Sequence, residues 1–258
     1  MYTLSFDRTP TKICALVISS NARRELSENL MIPKIVHQTS RNLTPEEARL
    51  GRRIRRHLPD WEYRFWSDAD NDLLVEERFP EYLSMFRGIR RGVIRADIVR
   101  YMYLSVYGGF YFDTDYKILR TINEEILSHN CVLPLSRSNG ESFRLGNAVM
   151  GSEAAQPFWA DFLAHIFATV GLVDLAESKI EGVTGPDGLT QFYLARQQMY
   201  DDIYLPAQPI FHPLHTYRGF FSQKRPMTVG VHLSWGSWRT KNPLAAALVL
   251  ARRKLTSF

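Results

Sequence analysis

Apolar and polar positions change period several times along this chain, and each change predicts an element. Ile32 to Gln38 (IPKIVHQ) is a short apolar run with β-branched residues, which predicts a buried strand. Pro45 to His57 places Leu50 and Ile54 four residues apart among charged neighbours, the spacing of an amphipathic helix. Thr44 with Glu47 three residues later is a capping-box arrangement at its start. Trp61 to Trp66 (WEYRFW) alternates as a strand does, and strand, helix, strand in that order favours a parallel or mixed sheet with helices on its faces.

The strongest helical signal runs from Ile89 to Tyr107, where Val93, Ile94, Ala96, Ile98, Val99, Met102, Tyr103 and Val106 recur on one face. It stops at Gly108-Gly109. The following FYFDTDYKIL is aromatic and β-branched and predicts a strand interrupted by a short acidic turn. Further helices are predicted from Gln156 to Val170 and from Leu189 to Met199. Leu205 to Thr216, with three prolines and two histidines, predicts irregular structure or short strands. No repeat or long linker interrupts the pattern, so one continuous domain is expected.

Length and charge narrow the classes. A chain of 258 residues with 45% hydrophobic content can close one sizeable core. Cys14 and Cys131 match no metal or redox spacing and predict no disulfide framework. The stretch Ile13 to Ile18 is too short to span a membrane and lacks a cleavage pattern, which leads to the expectation of a cytoplasmic protein. The formal charge of +5 points to anionic partners. Nucleic acid is disfavoured, because no basic segment is interleaved with aromatics and no zinc-finger spacing exists.

The candidate chemistry centres on Asp113-Thr114-Asp115. On an extended chain, side chains two apart point the same way, so both carboxylates can face one site. Mg²⁺ and Mn²⁺ take oxygen ligands of this kind and leave coordination positions for a diphosphate. Asp97 and Arg100 lie one helical turn apart in the preceding helix, among apolar residues that make burial costly without a polar partner, and this favours a pocket there.

Four segments in order, IPKIVHQTS, RADIVRYMYLSVYGGFYFDTDYKIL, TGPDGLT and VHLSWGSW, resemble the glycosyltransferases of family 32. That group includes yeast-type α-1,6-mannosyltransferases, bacterial capsular-polysaccharide sugar transferases and, more distantly, the glucosylating clostridial toxins. The central pattern ADxxRYxxLxxxGGxYxDxD sets ten positions across the twenty residues from Ala96 to Asp115. The resemblance implies a GT-A-type α/β fold, a nucleotide-binding sandwich whose mixed, mostly parallel sheet is flanked by helices. It implies a catalytic domain over 32–240, an N-terminal flank over 1–31 and a basic amphipathic tail over 241–258. It also implies Mn²⁺ or Mg²⁺ and transfer, with retention, of a hexose from a UDP- or GDP-linked donor to a glycan or lipid-linked acceptor.

By the same resemblance, Asp115 coordinates the metal and Asp113 contacts the metal, the nucleotide ribose or both. Asp97 and Arg100 hydrogen-bond donor-sugar hydroxyls. Gly108 and Gly109 permit close backbone approach, and Asn147 with the Thr184-Gly185-Pro186 turn lines the sugar and acceptor side. His37 and Gln38 follow the first strand, where the nucleotide base and ribose are received, by the backbone there rather than by the side chains. His232 stands at the first histidine of the family's HHWxxSW segment, as a metal or diphosphate ligand, and Trp238 at its closing tryptophan. Leu233 and Ser234 depart from that segment.

Two other classes compete. Some metal-dependent phosphohydrolases open with Asp-x-Asp after a strand, but their motif expects a small residue soon after the second Asp, where Tyr116-Lys117 stand here. A non-catalytic sugar-binding protein could inherit the same fold, against which the complete Asp97, Arg100, Asp113, Asp115 set speaks. The C-terminal NPLAAALVLARRKLTSF is apolar and then basic, suited either to docking peripherally on an anionic membrane at its inner face or to packing on the domain itself.

Overall fold

The computed structural model describes residues 32–140, 142–170, 180–216, 221–222, 225–235 and 253–256. Residues 31–258 form one compact unit. Cys14, Trp238, the N-terminal flank and most of the C-terminal tail lie outside the described residues.

The strands are β1 (Ile35–Thr39), β2 (Glu62–Trp66), β3 (Gly109–Phe112), β4 (Tyr116–Ile118), β5 (Cys131–Val132), β6 (Leu135–Ser138), β7 (Phe143–Leu145), β8 (Val149–Ser152), β9 (Ile203–Tyr204), β10 (His215–Thr216), β11 (Phe221–Ser222) and β12 (Gly230–His232). The main sheet has the order β2-β1-β3-β8-β5-β9, and in it only β8 runs antiparallel to its neighbours. This is the expected mixed, mostly parallel sheet. The helices are α1 (Pro45–His57), α2 (Asp68–Arg78), α3 (Leu83–Gly88), α4 (Gly92–Tyr107), α5 (Glu124–Leu127), α6 (Pro157–Val170), α7 (Ile180–Val183), α8 (Pro186–Leu194) and α9 (Gln208–Phe211). Among the described residues, no helix is long and apolar enough to cross a membrane.

Alternation along β3 divides the core. Phe110 and Phe112 join one cluster with Val36, Ile54, Val132 and Val149. Tyr111 joins the other, with Ile98, Met102, Phe158, Phe162 and Leu189 from α4, α6 and α8. Side chains of period two on a central strand thus seed a core on each face.

Several expected boundaries move. The first strand spans Ile35–Thr39 rather than Ile32–Gln38, because Pro33 has no N–H for the ladder and its carbonyl takes the Ile35 N–H. The helix expected from Ile89 starts at Gly92, since Ile89 ends α3 and Arg91 is extended (φ −89°, ψ 113°). The helix expected over Leu189–Met199 begins at Pro186, whose ring suits a first helical turn, and ends at Leu194; Gln197–Met199 form one 3₁₀ turn. The proline-rich stretch follows β9 and holds α9 and β10 with irregular links.

Gly108 and Gly109 have φ of +63° and +88°. A Cβ on Gly109 would stand 2.5 Å from the Ile35 carbonyl oxygen, and one on Gly108 would stand 2.7 Å from the Ala154 nitrogen. The close approach expected of a ligand's backbone contact is here an approach of neighbouring chain segments, which lets α4 turn directly into β3.

The parallel strands bring several chain positions to one edge. β1 and β3 both end there, so Thr39 and Asp113 come together, and antiparallel β8 starts there, which adds Asn147 and Ala148. Open α/β sheets bind ligands beyond the carboxyl ends of their strands.

Candidate active site

A cleft of about 750 Å³ opens at this edge and is lined by Thr39, Arg41, Asp97, Arg100, Asp113, Asp115, Asn147 and His232, among others. The acidic turn on its floor is anchored on several sides. The Asp113 N–H donates to the Ala148 carbonyl (2.7 Å), and the Asp113 carbonyl accepts from the Gln38 amide (3.0 Å) and from the Tyr116 N–H (3.0 Å). Thr114 donates its hydroxyl to Glu47 Oε1 (2.9 Å) while Glu47 Oε2 accepts from the Thr44 N–H (2.8 Å). The capping glutamate of α1 therefore also holds the middle of the triplet.

His232 arrives through β12, which pairs antiparallel with β4 and sets His232 opposite Tyr116, next to Asp115. Its Nε2 lies 3.1 Å from Asp115 Oδ1 and 3.6 Å from Asp113 Oδ2. The other oxygen of each carboxylate is occupied: Asp113 Oδ1 accepts from Tyr111 OH (2.7 Å) and pairs with Arg100 (3.2 Å), and Asp115 Oδ2 accepts from the Trp235 N–H (2.8 Å). Each carboxylate thus presents one oxygen to a shared point, and potential ligand atoms of Asp113, Asp115 and His232 all lie within 4.8 Å of one another.

Two carboxylate oxygens and one imidazole nitrogen suit a divalent cation of the Mn²⁺ or Mg²⁺ type, so the donor set fits the implied metal. Burial opposes charge on His232, but Asp115 first and then Asp113 more than offset it, and the imidazole pKa is raised. Asp115 feels the reciprocal effect: burial raises its pKa, yet His232 and the Trp235 N–H bring it below the ordinary carboxylate value. Asp113 is raised, because burial outweighs the attraction of Arg100.

Behind this triad lies a closed polar network. Arg100, 5% exposed, pairs with Asp97 (3.1 Å), donates to the Asn147 carbonyl (2.8 Å) and lies over the Tyr111 ring (4.7 Å). Asp97, equally buried, accepts from the Asn147 amide (3.0 Å) and the Thr184 hydroxyl (3.1 Å). Burial pushes Asp97 up to about 6 against the pull of Arg100. Arg100 shifts upward: its burial is outweighed by Asp113, Tyr111 and Asp97, so it stays charged.

Asp97, Arg100, Asp113, Asp115, Asn147 and His232 therefore converge as expected from the sequence. His37 and Gln38 do not line the cleft. The His37 ring is fully buried, bonded to the Gly108 carbonyl (2.9 Å) and to Trp66 Nε1 (3.1 Å) and stacked on Tyr103, and burial lowers its pKa to about 4. Gln38 braces Asp113 and accepts from Tyr63 OH (2.6 Å). Thr39, Ser40 and Arg41 form the wall at this strand end instead. Gly109 is buried within β3.

Glu47, Tyr111, Thr114 and Trp235 were not singled out in the sequence as partners of the acidic pair. Only Tyr111 left a signal, as a member of the GGxYxDxD pattern two residues before Asp113. Trp235 also donates its indole N–H to Thr256 (3.1 Å) and lies under Arg253 (5.3 Å), so the helical turn at 253–256 packs on the domain beside the acidic turn.

Residues 45–133 match the family described as the glycosyltransferase sugar-binding region containing a DXD motif. The chain is 37% identical over 159 residues to one mannosyl phosphorylinositol ceramide synthase of Saccharomyces cerevisiae, covering 60% of this chain and 41% of that protein. It is 31% identical over 201 residues to a second, covering 74% and 50%. The initiation-specific α-1,6-mannosyltransferase of Candida albicans is 27% identical over 180 residues, covering 63% and 45%. The chain spans about half or less of the length of these curated relatives. Among solved structures, the ligand-free glycosyltransferase domain of the YGT toxin superposes with a TM-score of 0.57 at 9% identity, over 87% of this chain and 89% of that one. The PaToxG glycosyltransferase superposes at 0.52 and 15%, over 69% and 76%. With a GT-A architecture and an Asp113-x-Asp115 turn at the carboxyl edge of its sheet, the chain carries the sugar-binding region of the DXD-motif glycosyltransferases.

Proposed function

We propose that this domain transfers a hexose, by the relatives' names a mannose, from a nucleotide diphosphate donor to a lipid-linked or glycan acceptor, with a divalent metal and with retention of anomeric configuration. The observation that carries the reading is the convergence of one oxygen from each of Asp113 and Asp115 with His232 Nε2 in a cleft backed by Asp97 and Arg100. A bound divalent cation supplies Lewis-acid neutralisation of the charge that develops on a departing diphosphate.

The chain's own groups account for the rest. Asp113, Asp115 and His232 would hold the cation. Arg100 and Tyr111 hold Asp113 by Oδ1 and aim its other oxygen, and the Trp235 N–H does the same for Asp115 through Oδ2. Asp97 retains lone pairs at the cleft surface with which to accept from a sugar hydroxyl, and Asn147 and Thr184 orient it. A preorganised set of this kind needs little reorganisation as charge develops. Retention is part of the proposal: front-face departure and entry need no covalent nucleophile, and the carboxylates at hand are committed to the metal point and to Arg100.

The test is nucleotide release from a panel of UDP- and GDP-linked hexoses with and without Mn²⁺, followed by anomeric analysis of the product. Metal-dependent release of one nucleotide that is abolished in Asp115→Asn supports the reading. Release unaffected by chelation or by that substitution overturns it. The lipid acceptor and membrane contact, supported by the yeast relatives being named as mannosyl phosphorylinositol ceramide synthases, are tested by flotation with vesicles of phosphorylated inositol lipid.

A further inference from the structure

The hairpin β6–β7 places Arg137 directly opposite Arg144. Like charges at facing positions of an antiparallel pair repel, so this arrangement works against the hairpin's own stability. The local register shift between Leu135 and Arg137 adds to the oddity, because bulges re-aim side chains and gather near functional sites. Both arginines line the main cleft, and both border a smaller adjoining hollow of about 230 Å³. Asp187, in the first turn of α8, pairs with Arg144. Arg137 is exposed and makes no ion pair or side-chain hydrogen bond among the described residues.

The hairpin is held firmly at its base. Ser136 donates to the Arg144 and Leu145 carbonyls (3.1 and 3.0 Å), the Leu145 N–H donates to Thr190 (3.0 Å), and the Gly146 N–H to Pro134 (2.8 Å). Arg144 is three residues from Asn147, which orients Asp97. The pair therefore stands beyond β8, on the opposite side of the acidic turn from β1 and β2.

We propose that Arg137 and Arg144 form an anion subsite for a phosphate group of the acceptor, next to the hydroxyl that is glycosylated. Arg137 brings a guanidinium that no carboxylate pairs among the described residues to the edge of the cleft beside Arg144, and arginine matches phosphate oxygens in bidentate geometry. The donor diphosphate belongs at the metal point formed by Asp113, Asp115 and His232, so the hairpin pair serves a second anion. Filling the subsite relieves the cross-strand repulsion, which explains why the pair is tolerated. This inference rests on the transferase reading for the acceptor's role, but the anion-binding claim stands on the hairpin alone.

The test uses the full chain and glycerophosphoinositol as probe, with free inositol as the uncharged control. Calorimetric titration should give binding of the phosphodiester at least about tenfold tighter than of inositol, weakening with added salt as exposed charge pairs do. Arg137→Gln, at an exposed position where folding is safe, should weaken the phosphodiester about five- to tenfold, leave inositol unchanged and leave Mn²⁺-dependent nucleotide release to water unchanged. Arg137→Lys should recover part of the loss. Equal binding of the two probes, or an Arg137→Gln variant that loses nucleotide affinity instead, overturns the proposal. Absence of nucleotide release from every donor, with Arg137-dependent phosphodiester binding intact, would count against the transferase reading and leave the subsite standing.

Discussion

Two polar clusters face the same cleft and are built on opposite principles. The Asp97–Arg100–Asn147–Thr184 cluster is 5 to 9% exposed or less at each residue, and its charged groups bond one another. The Asp113–Asp115–His232 cluster is more open, with side chains 22%, 16% and 25% exposed, and keeps one oxygen of each carboxylate directed at a shared point. The first is held together by its own bonds and chiefly positions, with Asp97 left to reach a sugar hydroxyl in the cleft. The second is incomplete and so can bind. Arg100 links them, since it pairs with a carboxylate from each.

The sharpest way to break this division is to remove the link. Arg100→Met leaves Asp97 and Asp113 buried without their cation and should cost about 3–5 kcal/mol of stability, read by urea denaturation. A loss under about 1 kcal/mol would mean that the closed cluster does not depend on Arg100. Next comes the open cluster. Asp115→Asn should lower metal-dependent turnover by roughly 10²–10³-fold, the scale on which electrostatic stabilisers of a transition state act, with a small change in thermal midpoint. Equal damage to stability and turnover would erase the distinction between the two clusters.

Protonation sharpens it further. In the metal-free protein His232 is raised above its ordinary 6.5 by Asp115. A raised folded-state value contributes stability that is complete below the unfolded pKa and is lost as pH rises through the folded one. Depressed Asp115 contributes in the opposite direction: its share is present above its ordinary 3.8 and is lost as pH falls through the lowered value. The metal-free pair is therefore most favourable between these limits. Metal binding needs neutral imidazole, so Mn²⁺ affinity should rise by about tenfold per pH unit until pH passes the raised His232 value and then level off. His232→Gln should flatten that slope, as titration calorimetry at several pH values will read.

The smallest effect concerns the support of the open cluster. Thr114→Val removes the hydroxyl that Glu47 holds and should cost roughly tenfold in metal affinity, the lower end of the range for outer partners of ligands. Helix α1 should stay capped, because Glu47 keeps its bond to the Thr44 N–H.

Much of this was legible because it is local. The capping box of Thr44 and Glu47, the 3.6-residue recurrence through α4 and the two-residue spacing of Asp113 and Asp115 are properties of short segments, and short-range geometry converts them directly into structure. Asp97 and Arg100 were marked by the cost of placing charge among apolar neighbours. Contacts made across the fold were not legible for the same physical reason. His37 and Gln38 sit at the right strand end, but the alternation of side chains along β1 turns His37 into an aromatic stack and Gln38 towards the backbone of Asp113. Nothing local foretells which partner lies on either face.

The sequence alone therefore determined β1, α1, β2, α4, β3 and α6 and the carboxylate pair of the site, since periodicity, caps and a two-residue spacing act within a few residues, while the mixed, mostly parallel sheet came with the family resemblance. Tertiary structure decided the rest. The pairing of β12 with β4 brought His232 to within 3.1 Å of Asp115 across more than a hundred residues, and β8 brought Asn147 to Asp97. It also made Glu47 a brace for Thr114 and set Arg137 against Arg144. Those contacts depend on register and on the order of strands, which are set by the burial of whole faces rather than by any one segment.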